Sequence, residues 1–435
     1  QGDGPSLLEF ETFRMRGHEE ASGTDYVPKA LLEEWARRDP VARYETLLRE
    51  RGVLSRNDFE TIRAAYKTRI DVLVEDALAA PEPRASVEEK IADVFAPSLL
   101  VPHAPNAEQE ERAPERRYVD AISDGLRTAM RRDERVVLLG QDIAEYGGVF
   151  KVTAGFVEEF GKERVRNTPI IESGAIGAAL GLALGGYVPM VEMQFGDFIT
   201  CGFNQIVNNL AKTHWRWGAR IPVVIRVPVG GGVGAGPFHS QNVESWFTSV
   251  AGLKVLAPAT PHDAKGLLIS AFEDGNPVLY LEHKLLYRSA KGRVPDGYFA
   301  LPIGRARRAR EGRHATIVTY GIGVTWALAA AEAFAGDGRE IEVLDLRSLM
   351  PWDVQAVVDS VRKTGRCLVL HEAPLTGGFG GEVAAVVGRE AFEWLDAPIA
   401  RLGALDTPVP FAKALEALHS PKGRLLPALR ELLAY

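Results

Sequence analysis

The stretch Gly174-Ala175-Ile176-Gly177-Ala178-Ala179-Leu180-Gly181-Leu182-Ala183-Leu184, then Gly185-Gly186-Tyr187, then Val188-Pro189-Met190-Val191-Glu192-Met193-Gln194-Phe195, decides the fold. Its first part is made of small and aliphatic residues that suit a tightly packed helix. Its second part is an apolar run behind a Gly-Gly break, which reads as a buried strand. The same alternation extends outward in both directions. Upstream, Ile122, Leu126 and Met130 lie at helical spacing within residues 118–130, ahead of an apolar run over 136–139. Downstream, a helix over 203–210 precedes strands over 222–227 and 278–281. Strands alternating with helices predict a parallel sheet covered on both faces. A second unit of this kind begins near Arg305, with strands over 315–320, 341–344 and 367–370 and a helix over 326–334. It predicts a separate C-terminal α/β domain.

Composition narrows the possibilities. The chain has 435 residues, of which 46% are hydrophobic and 25% charged, values of ordinary globular material able to form about three domains of roughly 150 residues each. The formal charge of −7 is spread over both signs, with no basic run or aromatic-interleaved basic patch, so no nucleic-acid partner is expected. Cys201 and Cys367 belong to no CxxC pair. That argues against a disulfide scaffold and a cysteine zinc site, and it points to a reducing, cytoplasmic location. No apolar run approaches the roughly 18 residues of a membrane helix, and no membrane partner is expected. The opening Gln1-Gly2-Asp3-Gly4-Pro5 has neither an initiator Met nor a signal pattern, so it reads as an internal position of a longer polypeptide.

The N-terminal part differs from the rest. Leu7, Leu8, Phe10, Thr12 and Phe13 alternate as in a strand, after which the period becomes helical. Apolar stripes at Leu31, Leu32 and Trp35, at Tyr44, Leu47 and Leu48, and at Ile62, Ala65 and Tyr66 predict a small helical segment. From residue 81 to 116 the chain is rich in proline and charge (Pro81, Pro83, Pro97, Pro102, Pro105, Pro114), which reads as a linker. The expected divisions are therefore 1–92, mostly helical; 93–116, linker; 117–300, first α/β domain; and 301–435, second α/β domain.

Several motifs admit chemistry. Gly230-Gly231-Gly232-Val233-Gly234-Ala235 follows a strand and satisfies a relaxed dinucleotide-binding pattern, but Gly236-Pro237-Phe238-His239 comes next instead of a helix start. A close-approach loop delivering His239 is the better reading. No two of the nine histidines have the i, i+4 spacing of a helical metal pair. His18 and His239 stand apart from the others because each lies in a polar or glycine-bearing loop. Glu172, after a predicted strand and before the small-residue helix, is placed where its carboxylate would be largely buried. It reads equally as a satisfied helix-start acid and as a catalytic group.

Six stretches carry a family resemblance: Arg117-Tyr118-Val119-Asp120-Ala121-Ile122, Thr168-Pro169-Ile170-Ile171-Glu172, Glu192-Met193-Gln194-Phe195, Gln205-Ile206-Val207-Asn208, His239-Ser240-Gln241 and Asp345-Leu346-Arg347-Ser348-Leu349. They resemble the β subunit of 2-oxo acid dehydrogenases, from about Arg117 to the end. Residues 5–92 resemble the C-terminal part of the α subunit, through Arg14-Met15-Arg16-Gly17-His18 and Glu34-Trp35-Ala36-Arg37-Arg38-Asp39-Pro40. The whole is similar to a fused α-β chain without the N-terminal half that holds diphosphate and magnesium in the family. Gly2-Asp3-Gly4 looks like the start of the metal-diphosphate motif. The place for its later asparagine-bearing turn, however, falls in the helix around Leu31 to Trp35.

The resemblance implies a thiamine-diphosphate-binding pyrimidine domain and a transketolase C-terminal-like domain, preceded by a small helical segment. It implies the decarboxylating component for a branched-chain 2-oxo acid or pyruvate, passing an acyl group to a lipoylated dihydrolipoyl acyltransferase. Glu172 would hydrogen-bond the pyrimidine ring nitrogen, with Ile170, Gln194 and Phe198 lining that pocket. His239 would move a proton during acyl transfer, and His18 and Arg14 would lie near the diphosphate and the entrance. Glu19 replaces the serine that many α subunits phosphorylate there, leaving Ser22 and Thr24 on the loop. Magnesium is expected with the missing half. The resemblance also implies a monovalent-cation site, for potassium, at Val223, Ala271, Phe272, Asp274 and Asn276. The active unit implied is a homodimer equivalent to α2β2, a lone chain being inactive. The competing readings are another transketolase-like enzyme, acting in ketol transfer or deoxyxylulose phosphate synthesis, and a truncated dimerisation or docking fragment.

Overall fold

Proline and acidic caps start the helices of the N-terminal region. In the computed structural model, which describes residues 7–19 and 21–435, these helices are Lys29–Ala36, Pro40–Glu50 and Arg56–Ala79. Pro40 occupies the first turn of the second helix, where no amide hydrogen is needed, and the Asp39 carboxylate accepts from the Val41 N–H. Ser55 and Asp58 form a reciprocal capping box on the third. None of the three helices has a fully buried residue. The strand expected over residues 7–13 does not form. Alternation stabilises a strand only where a neighbour completes the ladder, and no strand forms among the described residues of this region. Phe13 instead stacks on Trp35, with ring centroids 5.5 Å apart, and Leu7, Leu8 and Phe10 are exposed. This region lies in one compact unit, Gln1–Ala85, and the remainder in another, Ser86–Tyr435.

The second unit contains fourteen strands among its described residues: β1 Glu115–Arg117, β2 Val136–Gly140, β3 Val165–Asn167, β4 Val188–Glu192, β5 Val224–Val229, β6 Lys254–Leu256, β7 Val278–His283, β8 Lys291–Arg293, β9 Arg307–Arg310, β10 Ala315–Thr319, β11 Ile341–Asp345, β12 Ser348–Met350, β13 Cys367–Pro374 and β14 Ala400–Ala404. Seven form one sheet in the order β12-β6-β7-β5-β4-β2-β3, parallel except for β12. Five form a second, β14-β13-β10-β11-β9, parallel except for β9. β2, β4, β5, β6 and β7 are buried along their whole length, as parallel strands covered on both faces must be. On helix Tyr118–Arg132 the buried residues Tyr118, Ala121, Ile122, Gly125, Leu126 and Ala129 recur at three and four residues. The predicted α/β layers are therefore observed.

Three details differ from the sequence reading. The strand begun at Val188 stops at Glu192, because Gly196–Gly202 winds into a 3-10 helix. The helix over 203–210 contains a π-turn, Gln205–Leu210, before it continues as Ala211–Trp217. The segment read as a linker is partly structured. Val87–Ala92 and Ala107–Arg112 are helices with capping boxes of their own, and residues 96–99 are tied to the sheet. There the Ala96 N–H donates to Asn276 Oδ1 at 2.8 Å and the Leu99 N–H to the Asp274 carbonyl at 3.2 Å. Proline keeps such a segment out of a ladder without preventing it from docking.

The two sheets are joined by more than apposition. β12 comes from the C-terminal third yet completes the edge of the first sheet. Beside it, Arg347 Nη1 donates to Asp263 at 2.9 Å, and Arg307 pairs with both Asp263 and Asp345. Burial pushes the Asp345 carboxyl up to about 7 against the pull of Arg307.

Candidate active site

Glu172 is the first residue of helix Glu172–Leu184, after Ile171 in a non-helical conformation (φ −154°, ψ 72°). A carboxylate in the first turn faces unpaired amide hydrogens and the positive end of the helix dipole. Gln141 Nε2 donates to its Oε1 at 3.2 Å. The side chain is half-buried, less than the sequence reading expected. The reason is local: Ile170 is 84% and Ile171 51% exposed, so this edge of the helix start opens outward. The result is a carboxylate framed by uncovered aliphatic surface.

The 3-10 helix Gly196–Gly202 rests against that helix start. A Cβ on Gly202 would lie 2.4 Å from Ile176 Cδ1 and 3.7 Å from the Glu172 carbonyl carbon, so only glycine permits the approach. Phe198 rides on this 3-10 helix. Its ring meets His239 edge-on at 5.4 Å between centroids, and Phe195 meets His239 at 4.7 Å. Gln194, half-buried, occupies the turn between β4 and Phe195. The structure thus brings His239 and Phe198 together, and sets them on an element packed against the helix that begins with Glu172.

His239 reaches this position through the glycine loop after β5. Gly230 has φ +90°, and a Cβ there would sit 2.0 Å from His283 Nε2. Gly236 has φ +70°, and a Cβ would strike the Phe411 ring at 2.2 Å. These are the conformations and clearances that glycine alone supplies. At the far side of His239, the Gln241 side chain donates to Asp197 Oδ1 at 2.9 Å. The loop is a close-approach loop and no dinucleotide cradle.

Beneath the site lies a charged layer that sequence reasoning missed. Arg226 is fully buried in β5 and donates twice, at 2.6 Å each, to Glu282 of β7, and also to Glu192 of β4. Tyr287 OH donates to Glu282 at 2.6 Å. Burial pushes the Glu192 carboxyl up, partly countered by Arg226. Arg226, facing two carboxylates, is held in its charged form despite burial. Such a layer contributes rigidity more than stability, and removing one member would strand a buried charge. The sequence signal was available: a charged residue interrupts each of three apolar strand runs. Lys284 is also close, its Nζ 5.8 Å from the Phe195 ring and without a hydrogen-bond partner among the described residues. Burial lowers its ammonium to about 8.

Other expected residues lie elsewhere. His18 and Arg14 belong to the unit Gln1–Ala85, where both are exposed and Arg14 Nη2 donates to Tyr26 OH at 3.3 Å. Val223, Ala271, Phe272, Asp274 and Asn276 sit at the amino ends of β5 and β7 and the end of helix Pro261–Glu273, the opposite edge of the sheet from His239. Val223, Asp274 and Asn276 have protein partners. Asp274 Oδ2 accepts from Lys254 Nζ and Ser98 Oγ, each at 2.7 Å. Asn276 Nδ2 donates to Asp274 Oδ1 at 2.8 Å and to the Ala96 carbonyl at 3.0 Å. The Val223 carbonyl accepts from the Val278 N–H at 2.9 Å. Among the described residues no group of three or more His, Cys, Asp or Glu side chains is placed to hold a metal ion. Gly2-Asp3-Gly4 lies outside the described residues, and none of the described helices is long and apolar enough to cross a membrane.

Fold and site together define a protein with transketolase-type pyrimidine and C-terminal domains. Residues 115–290 match the transketolase pyrimidine-binding domain family, residues 304–424 the transketolase C-terminal domain family, and residues 1–86 the dehydrogenase E1 component family. The chain is 45% identical over 304 residues to the β subunit of 2-oxoisovalerate dehydrogenase of Bacillus subtilis, covering 69% of this chain and 92% of that one. It is 45% identical over 298 residues to a pyruvate dehydrogenase E1 component subunit β of Staphylococcus epidermidis, covering 68% and 92%. The corresponding subunit of Leifsonia xyli matches at 45% over 332 residues, covering 76% and 98%. Among solved structures, one described as a split-gene transketolase, inactive β4 tetramer, superposes with a TM-score of 0.60 at 24% identity, covering 73% of this chain and 98% of that one, a likeness of fold. The chain belongs to the family of 2-oxo acid dehydrogenase E1 components, with an α-type C-terminal piece joined to a β-type subunit.

Proposed function

We propose that this chain binds the aminopyrimidine half of thiamine diphosphate through Glu172 and serves in the oxidative decarboxylation of a branched-chain 2-oxo acid or pyruvate. The observation that supports this most strongly is the Glu172 carboxylate at a helix start, framed by the exposed Ile170 and by the helix that carries Phe198. One carboxylate amid flat and aliphatic apolar surface suits a heteroaromatic ring with a single basic nitrogen. When bound, thiamine diphosphate supplies the electron sink that decarboxylation of a 2-oxo acid requires.

The protein's part is to orient, exclude water and move protons. Glu172 would hold a proton on a carboxyl oxygen toward the pyrimidine nitrogen, with Gln141 fixing its other oxygen. Phe198, Ile170 and Gln194 would line the ring's pocket. His239, edge-on to two phenyl rings, would pass a proton as the acyl group moves to a lipoylated dihydrolipoyl acyltransferase. His18 and Arg14 are assigned to the diphosphate and the entrance. Magnesium is assigned no ligand among the described residues, and a potassium ion at Val223, Ala271, Phe272, Asp274 and Asn276 would have to be held mainly by carbonyl oxygens. In this reading residues 117–300 form the pyrimidine-binding domain and 301–435 its supporting domain, while 1–92 and 93–116 are the α-type segment and connector. A cytoplasmic homodimer equivalent to α2β2 would cover the open edge at Ile170.

Decarboxylation of pyruvate and of 2-oxoisovalerate by the parent holoenzyme would identify the substrate. Glu172→Gln should lower both rates by at least ~100-fold; substantial remaining activity would refute the assignment, and ketol transfer without acyl transfer to a lipoyl group would refute the reaction class.

A further inference from the structure

Glu372 lies near the end of β13, in the C-terminal domain, outside the residues assigned to catalysis. Its side chain is 9% exposed and its Oε2 meets three donors. His283 Nε2 lies at 2.6 Å, Asn242 Nδ2 at 2.9 Å and the Gly231 N–H at 3.3 Å. Gly231 and Asn242 are the two ends of one loop, and His239 stands three residues before Asn242. A single carboxylate oxygen therefore pins both ends of the segment that carries the histidine. The Gly230 N–H closes the same base by donating to the Gln241 carbonyl at 3.2 Å. Glu416, on helix Lys413–His419, adds a second hold by accepting the Gly232 N–H at 2.6 Å.

We propose that Glu372 is a positioning residue for His239, stapling the loop 230–242 so that the imidazole keeps its place against Phe195 and Phe198. The proposal rests on the assignment of His239 to acyl transfer. The loop needs such a device: Gly230, Gly231, Gly232, Gly234 and Gly236 give it more backbone freedom than residues with a Cβ would. Proton transfer tolerates little of that freedom, since a misplacement of about 1 Å costs on the order of 100-fold in rate. The acceptor is also in the right state. Burial alone would raise the Glu372 carboxyl, but the facing His283, with the Asn242 and Gly231 donors, holds it down at about 2. It is ionised throughout the working range, and hydrogen bonds to an ionised acceptor are the strong ones. The buried Lys284 ammonium is attracted by Asp197, Glu372 and Glu416, which partly counter the effect of its burial.

The test separates the two half-reactions of the thiamine-diphosphate-loaded holoenzyme. Decarboxylation is followed with an artificial electron acceptor, and acyl transfer with a lipoylated acyltransferase domain, for the parent, Glu372→Ala, Glu372→Gln and His239→Ala. Glu372→Ala should slow acyl transfer by at least ~10-fold while decarboxylation stays within about 3-fold, with Glu372→Gln in between. Hydrogen–deuterium exchange of the cofactor-free protein should rise in peptides spanning 230–242 and stay unchanged in β10 and β11. Equal loss in both half-reactions, or exchange rising through the C-terminal sheet, would make Glu372 merely structural and overturn the proposal. Unchanged loop exchange in Glu372→Ala would overturn the staple itself. Unimpaired acyl transfer in His239→Ala would overturn the assignment on which the proposal rests, a failure that the loop-exchange result tells apart.

Discussion

The two sheets of the second unit end very differently. At the carboxyl ends of β4 and β5, the chain runs into half-buried Gln194, Phe195, Phe198 and His239, beside an open edge at Ile170. Near the carboxyl end of β13, Glu372 is turned toward His283 of the first sheet, while His371 is buried within its own domain beside Tyr320, where burial lowers its imidazole to about 4, leaving it neutral. Parallel α/β layers place ligands beyond the carboxyl ends of their strands. On the roles proposed above, one sheet presents chemistry at that end, and the other holds the first sheet's loop there. The proposals thus give the same architecture reaction in one half and position in the other.

Substitutions on the two sides should separate these roles. The largest effect belongs to the reacting end: His239→Ala should lower acyl transfer to a lipoylated domain by about 10²- to 10⁴-fold with the fold intact by circular dichroism. Gly230→Ala attacks the junction, where a methyl group would meet the His283 ring at 2.0 Å and φ is +90°. It should cost about 2–4 kcal/mol in urea unfolding; a loss below ~0.5 kcal/mol would show that the junction yields freely. Phe198→Ala should weaken thiamine diphosphate binding by about 10-fold in calorimetry, as expected for one lost aromatic face.

The smallest effect comes from the junction of the two domains. Glu244 is buried beneath the Tyr320 hydroxyl, and burial pushes its carboxyl from 4.5 up to about 7. A raised carboxyl destabilises the folded state as pH climbs from its unfolded value through the folded one. Glu244→Gln should therefore unfold about 2–4 °C above the parent at pH 8, with the gain vanishing near pH 4.5. A gain independent of pH would mean that the charge is not the cause.

Much of this was legible in the sequence because it is local. The small-residue helix after Glu172, the apolar runs of β4 and β5 and the glycine run before His239 each carry their own signal within a dozen residues. Leu7 to Phe13 misled because a strand is only half specified by its own pattern, and no partner edge forms among the described residues of that region. Glu172 proved less enclosed than its neighbours' apolar character suggested, since burial depends on what covers Ile170 and not on Ile170 itself. The pairing of Glu372 with Gly231 joins positions 141 residues apart, and nothing in either segment announces the other. The cation expected at Asp274 and Asn276 rested on resemblance alone, and the contacts of these residues with Ser98 and Ala96 arise from the docking of residues 93–116, which no local pattern announces.

The central claim, that Glu172 activates thiamine diphosphate, is tested most directly by the rate at which the thiazolium C2 proton of the bound cofactor exchanges with deuterium, read by NMR in the parent and in Glu172→Gln. The account predicts a fall of at least ~100-fold with the cofactor still bound. Exchange at the parent rate in the cofactor-saturated variant would contradict it.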